Sequence, residues 1–174
     1  MITSERLTLR EMNVSDAEYL MEIFMDPIAM THYPSTKNKN ETLEWINWTL
    51  GNYRDYGVGL WIVEDKQTAE FLGQCGIVPQ KFEDGVTMEI GYLLKRIVWG
   101  NGYATEAALA CKKYGFEEKG YSKLISLIDL KNQASINVAE RIGMEREDTI
   151  HRWGKKIYMY SCFGNKFKNK ENVN

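Results

Sequence analysis

Cysteine and histidine are scarce, with three of the first and two of the second in 174 residues. Cys75, Cys111 and Cys162 lie far apart, an odd number at no metal-ligand spacing. That argues against a disulfide framework or a zinc site and for reduced thiols in a cytoplasm. His32 and His151 are too few for a metal centre, so no metal is expected. No apolar run approaches the ~18 residues of a membrane span, and MITSERLTLRE is too charged for a signal peptide. There are no internal repeats and no Pro-, Gly- or Ser-rich linkers. With 44% hydrophobic and 26% charged residues, the expectation is one soluble α/β domain over residues 1–164, cytoplasmic and without a membrane partner. A polar, lysine-rich tail follows at 165–174 (NKFKNKENVN) and is expected to fray.

The net charge is −2, which gives no support to direct nucleic-acid binding. The distribution is uneven. Residues 1–94 carry 7 Lys and Arg against 15 Asp and Glu, and residues 95–174 carry 15 against 9. The C-terminal half therefore favours an anionic ligand and the N-terminal half a cationic one.

Periodicity organises the chain. Leu7-Thr8-Leu9 alternates as a strand. Ser15 stands three residues before Glu18, a capping box for a helix through Met25 that Pro27 stops. Asn40 to Tyr56 reads as a second helix. Strand patterns follow at Gly59–Glu64, Phe71–Val78 and Val86–Leu94, the last two flanking a turn at Glu83-Asp84-Gly85. A helix from Gly102 to Lys119 carries a stripe of small residues, Ala104, Ala107, Ala108, Cys111 and Gly115, which lets it lie close to a sheet. Lys123–Leu130 is a strand, Asn132–Ile142 a short helix closed by Gly143, and Thr149–Trp153 with Lys156–Phe163 a hairpin. This order predicts a mixed sheet with helices on both faces, not a doubly wound parallel one.

The chemistry concentrates in VTMEIGYLLKRIVWGNGYATEA, Val86 to Ala107. A strand leads through Gly100-Asn101-Gly102 into the small-residue helix, whose first turn offers unpaired amides and partial positive charge to a phosphate. No P-loop G-x-x-x-x-G-K-[ST] exists. A dinucleotide fingerprint has Gly100, Gly102 and a later Asp129, but Thr105 stands where its third glycine belongs. Trp99-Gly100-Asn101-Gly102-Tyr103-Ala104-Thr105-Glu106-Ala107 resembles instead the acetyl-CoA-binding motif Q/R-x-x-G-x-G/A of the GNAT acetyltransferases, in their RimJ/RimL-like branch. Gly102 and Ala104 match, and Trp99 replaces Gln or Arg, as this branch commonly does. The resemblance continues through Glu5–Arg10, Glu89-Ile90-Gly91-Tyr92, Asn132-x-x-Ser135, Glu140–Met144 and Lys155–Tyr160.

The resemblance implies a mostly antiparallel sheet with one splayed parallel pair, Val86–Leu94 beside Lys123–Leu130, and acetyl-CoA as cosubstrate in the gap. It further implies cofactor contacts from Tyr92, Leu93 and Leu94, from Gly100, Asn101, Gly102, Tyr103, Ala104 and Thr105, and from Asn132 and Arg141. A homodimer is expected on the same ground. The reaction is direct attack of a neutral amine on the thioester in a ternary complex. Glu89 is the candidate base, or else a carboxylate that orients the acceptor. Many family members place a tyrosine where Ala139 stands here, so Ser135 becomes the candidate donor to the leaving thiolate. Its other role is at the helix start, with Asn132 as N-cap and Ser135 as the third helical residue. His32, Tyr33 and Trp153 are candidate acceptor-site residues, each equally able to serve as a plain loop residue, and His151 lies beside them. Cys75, Cys111 and Cys162 read as core hydrophobes, and Tyr160 as core or a second proton donor. The expected activity is N-acetylation of a primary amine, foremost a peptide or protein N-terminus. A polyamine or another small amine is the alternative acceptor, and a non-catalytic acyl-CoA sensor the alternative class.

Overall fold

The structure, a computed structural model, describes residues 1–164; the polar tail lies outside the described residues. The strands are β1 (Ile2–Thr3), β2 (Leu7–Glu11), β3 (Leu60–Asp65), β4 (Phe71–Phe82), β5 (Gly85–Leu94), β6 (Lys123–Asp129), β7 (Glu145–Arg152) and β8 (Lys155–Phe163). The helices are α1 (Ala17–Phe24), α2 (Lys39–Tyr56), α3 (Tyr103–Glu117) and α4 (Gln133–Arg141). One sheet runs in the order β1-β2-β3-β4-β5-β6-β8-β7. Every neighbouring pair is antiparallel except β5 and β6. Those two share one registered pair, Glu89 with Ile125, whereas β4 and β5 pair from Gly73–Leu94 to Phe82–Gly85. The splayed parallel pair is therefore present.

Strand alternation places successive side chains in different layers. Ile90 and Leu94 of β5, with Leu124 and Ile128 of β6, pack against Ala107, Ala108 and Cys111 of α3 and Ile136 and Ala139 of α4. Leu93 of β5 and Val78 of β4 join Leu20, Ile23 and Phe24 of α1 and Ile46 of α2 on the opposite face. The small stripe of α3 does what its composition predicts. A Cβ on Gly115 would stand 3.0 Å from both Ile77 and Leu124, so helix and sheet are in close contact there.

The first helix starts differently from the sequence expectation. The capping box is Asn13 with Asp16, not Ser15 with Glu18, and a single 3-10 turn, Val14–Asp16, precedes α1. Asp16 wins because Arg10 grips it at 2.7 and 3.0 Å while it accepts the Asn13 amide at 2.8 Å. Glu18 stays exposed and pairs with Lys39. β4 also extends past Val78 to Phe82, through Pro79, and β7 begins at Glu145 rather than Thr149. In both places the antiparallel partner continues, and the hairpin ladder carries the polar residues with it.

The residue entering β3 approaches β4 so closely that one glycine position admits no side chain. A Cβ on Gly76 would lie 2.0 Å from the Gly59 carbonyl oxygen, and neither backbone can yield. Gly76→Ala is expected to cost more than about 4 kcal/mol, a fall in Tm of about 10 °C or more, measured by thermal unfolding. A Tm within about 2 °C of the parent would contradict this packing.

Candidate active site

The turn before α3 is shaped as an anion cradle. Gly100 and Gly102 hold φ of +80° and +79°, a left-handed conformation that side chains disfavour. Gly102 is the N-cap, with no side chain closing the helix end. The helical ladder opens with the Glu106 amide donating to the Gly102 carbonyl at 3.0 Å. The amides of Tyr103, Ala104 and Thr105 precede it and project from the positive end of a 15-residue helix.

A carboxylate in that first turn would repel an anion, but Glu106 is neutralised. It accepts from the Arg6 amide, the Arg6 Nε and the Ser4 hydroxyl, each at 2.7 Å. Burial acts to raise its pKa, yet these bonds and the Arg6 charge hold it below the usual value. Arg6 also donates to the Asn101 carbonyl at 3.1 Å and lies 4.5 Å over the Tyr103 ring. It therefore fastens the glycine turn to the β1–β2 connection. Asn101 folds back onto the Val98 and Trp99 carbonyls. The Trp99 indole donates to the Leu94 carbonyl at 2.9 Å, so the residue that departs from the family pattern closes the end of β5.

The second part lies at the β5–β6 gap. Glu89 spans it: one carboxyl oxygen accepts the Leu127 amide of β6 at 3.1 Å, and the other accepts Gln80 Nε2 of β4 at 2.5 Å. Ser126 donates to the Ile90 carbonyl at 2.8 Å and pins the strands just beyond. Burial pushes the Glu89 carboxyl up to about 7, against the lowering effect of Leu127, Gln80 and Arg152. Tyr33 faces this carboxyl, its phenol raised to about 12 by burial and by Glu89.

The third part is the start of α4. Asn132 is its N-cap, and its side chain accepts the Ser135 amide at 3.1 Å; the helix-start role of both residues is realised. Tyr92, across the gap on β5, donates its hydroxyl to the Ser135 carbonyl at 2.8 Å, and burial raises its phenol well above the ordinary value. Glu89 faces the α1–α2 layer, with Leu93, while Tyr92 and Ser135 lie in the α3–α4 layer. Arg141 ends α4, at the far end of the helix from Asn132. Ala139 is buried in the core.

Of the acceptor-side candidates, Tyr33 alone interacts with Glu89 directly. His32 Nδ1 stands 3.9 Å from Asp129, whose carboxylate Lys155 holds at 2.5 Å. That hydrogen bond keeps Asp129 below its usual pKa, and Lys155 also reaches the His32 carbonyl. Trp153 is 60% exposed in the β7–β8 turn, with φ +52°, under the Arg152 guanidinium. His151 is exposed on β7. Tyr160 is core, its hydroxyl 3.2 Å from Glu140, and the Cys75 and Cys111 sulfurs are buried 3.6 Å apart. Sequence reasoning assigned no role to Arg6 or Gln80, and none to Arg152 beyond the acceptor-side run His151-Arg152-Trp153. The Arg6–Glu106 and Arg152–Gln80 contacts join residues 100 and 72 positions apart and leave no local pattern.

Among the described residues no helix is long and apolar enough to cross a membrane. The cradle residues fit a pyrophosphate, offering a run of helix-end amides, glycines whose conformation excludes side chains, and a neutralised carboxylate. Residues 6–145 match the family model described as the acetyltransferase (GNAT) domain. The chain is 52% identical over 160 residues to the uncharacterised protein YkkB of Bacillus subtilis, covering 91% of this chain and 93% of that protein. An acetyltransferase from Agrobacterium tumefaciens superposes with TM-score 0.82 at 28% identity, over 92% of each chain. Two solved structures at 17% identity share the fold. One is RimL, a ribosomal L7/L12 alpha-N-protein acetyltransferase in complex with coenzyme A (TM-score 0.76, 93% of this chain and 96% of that one). The other is a spermidine N-acetyltransferase chimera from Vibrio cholerae and hSSAT (TM-score 0.75, 95% and 100%). An amide-lined helix end beside a splayed parallel pair, on a chain whose residues 6–145 match that model, makes this protein a member of the GNAT acetyltransferase family, an acetyl-CoA-dependent N-acetyltransferase.

Proposed function

We propose that the protein acetylates an α-amine, that of a peptide or protein N-terminus, with Glu89 as the base and Ser135 as a hydrogen-bond donor toward the departing thiolate. The observation that carries this reading is the half-buried Glu89 carboxyl, held across the β5–β6 gap between the Leu127 amide and Gln80, with desolvation raising its pKa to about 7. An α-ammonium loses its proton at about 7.7–8.0, so transfer to Glu89 is uphill by about one pH unit, about 1.4 kcal/mol. A lysine-like or polyamine ammonium, at about 10.4, makes the same transfer uphill by more than three units, about 4.6 kcal/mol. Charge around the base supports the same choice. Arg152 lies close to Glu89, and Lys155 already occupies the nearby Asp129. A polycation finds no spare carboxylate among these groups.

In this reading the amides of Tyr103, Ala104 and Thr105 hold the pyrophosphate, and main-chain groups of Tyr92 and Leu93 accompany the pantetheine arm into the gap. Acetyl-CoA supplies the activated acetyl group. The acceptor approaches from the α1–α2 side, past His32, Tyr33 and Trp153, and gives its proton to Glu89. A cytoplasmic place fits the buried thiols of Cys75 and Cys111. Release of free CoA should be measured with N-terminal peptides, amino acids, polyamines and aminoglycosides. Peptides with a free α-amine are expected to give the highest kcat/KM. Preference for a polyamine would overturn the acceptor assignment, and binding of acetyl-CoA without turnover on any amine would indicate a sensor.

Ser135→Ala separates the two roles of that residue. Loss of one donor toward developing charge predicts a kcat lower by about 10- to 100-fold. The loss should persist at high pH, where free amine is plentiful, with acetyl-CoA affinity little changed. A lowered Tm with intact kcat would leave Ser135 a helix-start residue only.

A further inference from the structure

Glu89 is one end of a directed hydrogen-bond chain. Arg152, the last residue of β7, donates from Nη2 to Gln80 Oε1 at 2.7 Å, and Gln80 Nε2 donates to Glu89 Oε2 at 2.5 Å. Gln80 is opposite Thr87 in the β4–β5 ladder and Glu89 is opposite Val78, so Gln80 and Glu89 are diagonal neighbours on one face. Arginine has only donors. The Gln80 amide must therefore turn its oxygen to Arg152, and its NH2 must then face Glu89. Arg152 is itself held by the Lys81 carbonyl at 3.1 Å and lies 4.8 Å over the Phe82 ring. The β7–β8 hairpin thus clamps the β4–β5 hairpin through one guanidinium.

We infer that Gln80 and Arg152 are positioning residues for the base: Arg152 fixes the direction of the Gln80 amide, and that amide holds the Glu89 carboxyl in place and favours its ionised form. The inference rests on Glu89 being the base. A protonated Glu89 turning its O–H toward Gln80 would set donor against donor, and Arg152 prevents the amide from reversing. The charged or titratable groups facing Glu89 from the surrounding elements are Arg152 and Tyr33 from the segment after α1, and Tyr92 of its own strand feels its charge from the opposite face of the sheet. Both phenols are held neutral by burial, so Arg152 is the cation of this set. Burial drives the carboxyl pKa up, and the Arg152–Gln80 chain limits the rise.

The test is the carboxyl titration of Glu89, followed by 13C NMR in the protein without cosubstrate and assigned by its loss in Glu89→Gln. It is paired with the pH profile of kcat on an N-terminal peptide. Gln80→Leu should raise the titration midpoint by about one pH unit, and Arg152→Met should raise it in the same direction by less. The acid limb of kcat should move by the same amount in each variant, with the rate returning to within several-fold of the parent at high pH. Combining the two changes should add little to Gln80→Leu alone, since Arg152 acts through Gln80. Midpoints unmoved in both variants, or a kcat lowered equally at every pH, would overturn the inference. Arg152→Met lies at the end of an edge strand, so it keeps the test open should Gln80→Leu fail to fold. Loss of the Glu89 assignment as base shows separately, as an acid limb unchanged in Glu89→Gln. The NMR midpoints would still report whether Gln80 and Arg152 govern the carboxyl.

Discussion

Glu89→Gln is expected to lower kcat about 10²-fold near pH 7, with part of the loss recovered as pH rises. Glutamine keeps the size of the side chain but cannot take the proton, so the reaction depends on amine that is already neutral. More of that amine exists at higher pH, hence the recovery. Stability should move independently. The Glu89 pKa is raised, from an ordinary 4.5 to about 7, so the folded state binds this proton more tightly than the unfolded chain. Its contribution to stability is therefore present at low pH and lost as pH rises through the window from about 4.5 to 7. The loss is on the order of 3 kcal/mol. Urea unfolding between pH 5 and 8 should show this decline in the parent and a flatter dependence in Glu89→Gln. A variant with the parent's activity at neutral pH would remove Glu89 as the base. An unchanged stability slope would show that the carboxyl is not desolvated in the folded state.

Gly102→Val is expected to weaken acetyl-CoA binding by at least about 10²-fold. Gly102 holds φ +79° at the N-cap of α3, a conformation in which a β-branched residue is a true outlier. The space itself is not the obstacle, since a Cβ there would meet only the Arg6 guanidinium at 3.6 Å. The cost arises in the backbone. To relieve it, the turn must rotate, and the amides of Tyr103, Ala104 and Thr105 lose their common direction. Isothermal titration calorimetry with acetyl-CoA, on protein shown by circular dichroism to be folded, measures the effect. Unchanged affinity would remove the pyrophosphate from this turn.

Residues whose chemistry is local were legible in the sequence. The glycine turn into a small-residue helix, the Asn132 cap and the two strands of the parallel pair all follow from spacing over a few positions. Glu89 is legible only through the family resemblance, which sets it on the strand beside the thioester. The start of α1 was misread for a physical reason. Two overlapping capping boxes compete there, and Arg10, six residues before Asp16, decides between them. The supports of the site were not legible at all. Arg6 neutralises Glu106 from 100 residues away, and Arg152 orients Gln80 from 72. Each is an ordinary surface arginine until the sheet order places its partner beside it.

The most direct measurement uses one peptide carrying a free α-amine and one lysine, incubated with acetyl-CoA and the protein near pH 7.5. The acetyl group is then located by fragmentation mass spectrometry. With Glu89 titrating near 7, early product should carry the acetyl group on the α-amine, at a rate that falls about 10²-fold in Glu89→Gln. Acetylation of the lysine side chain in preference to the N-terminus, or no acetylation at either amine while acetyl-CoA binds, would contradict the account.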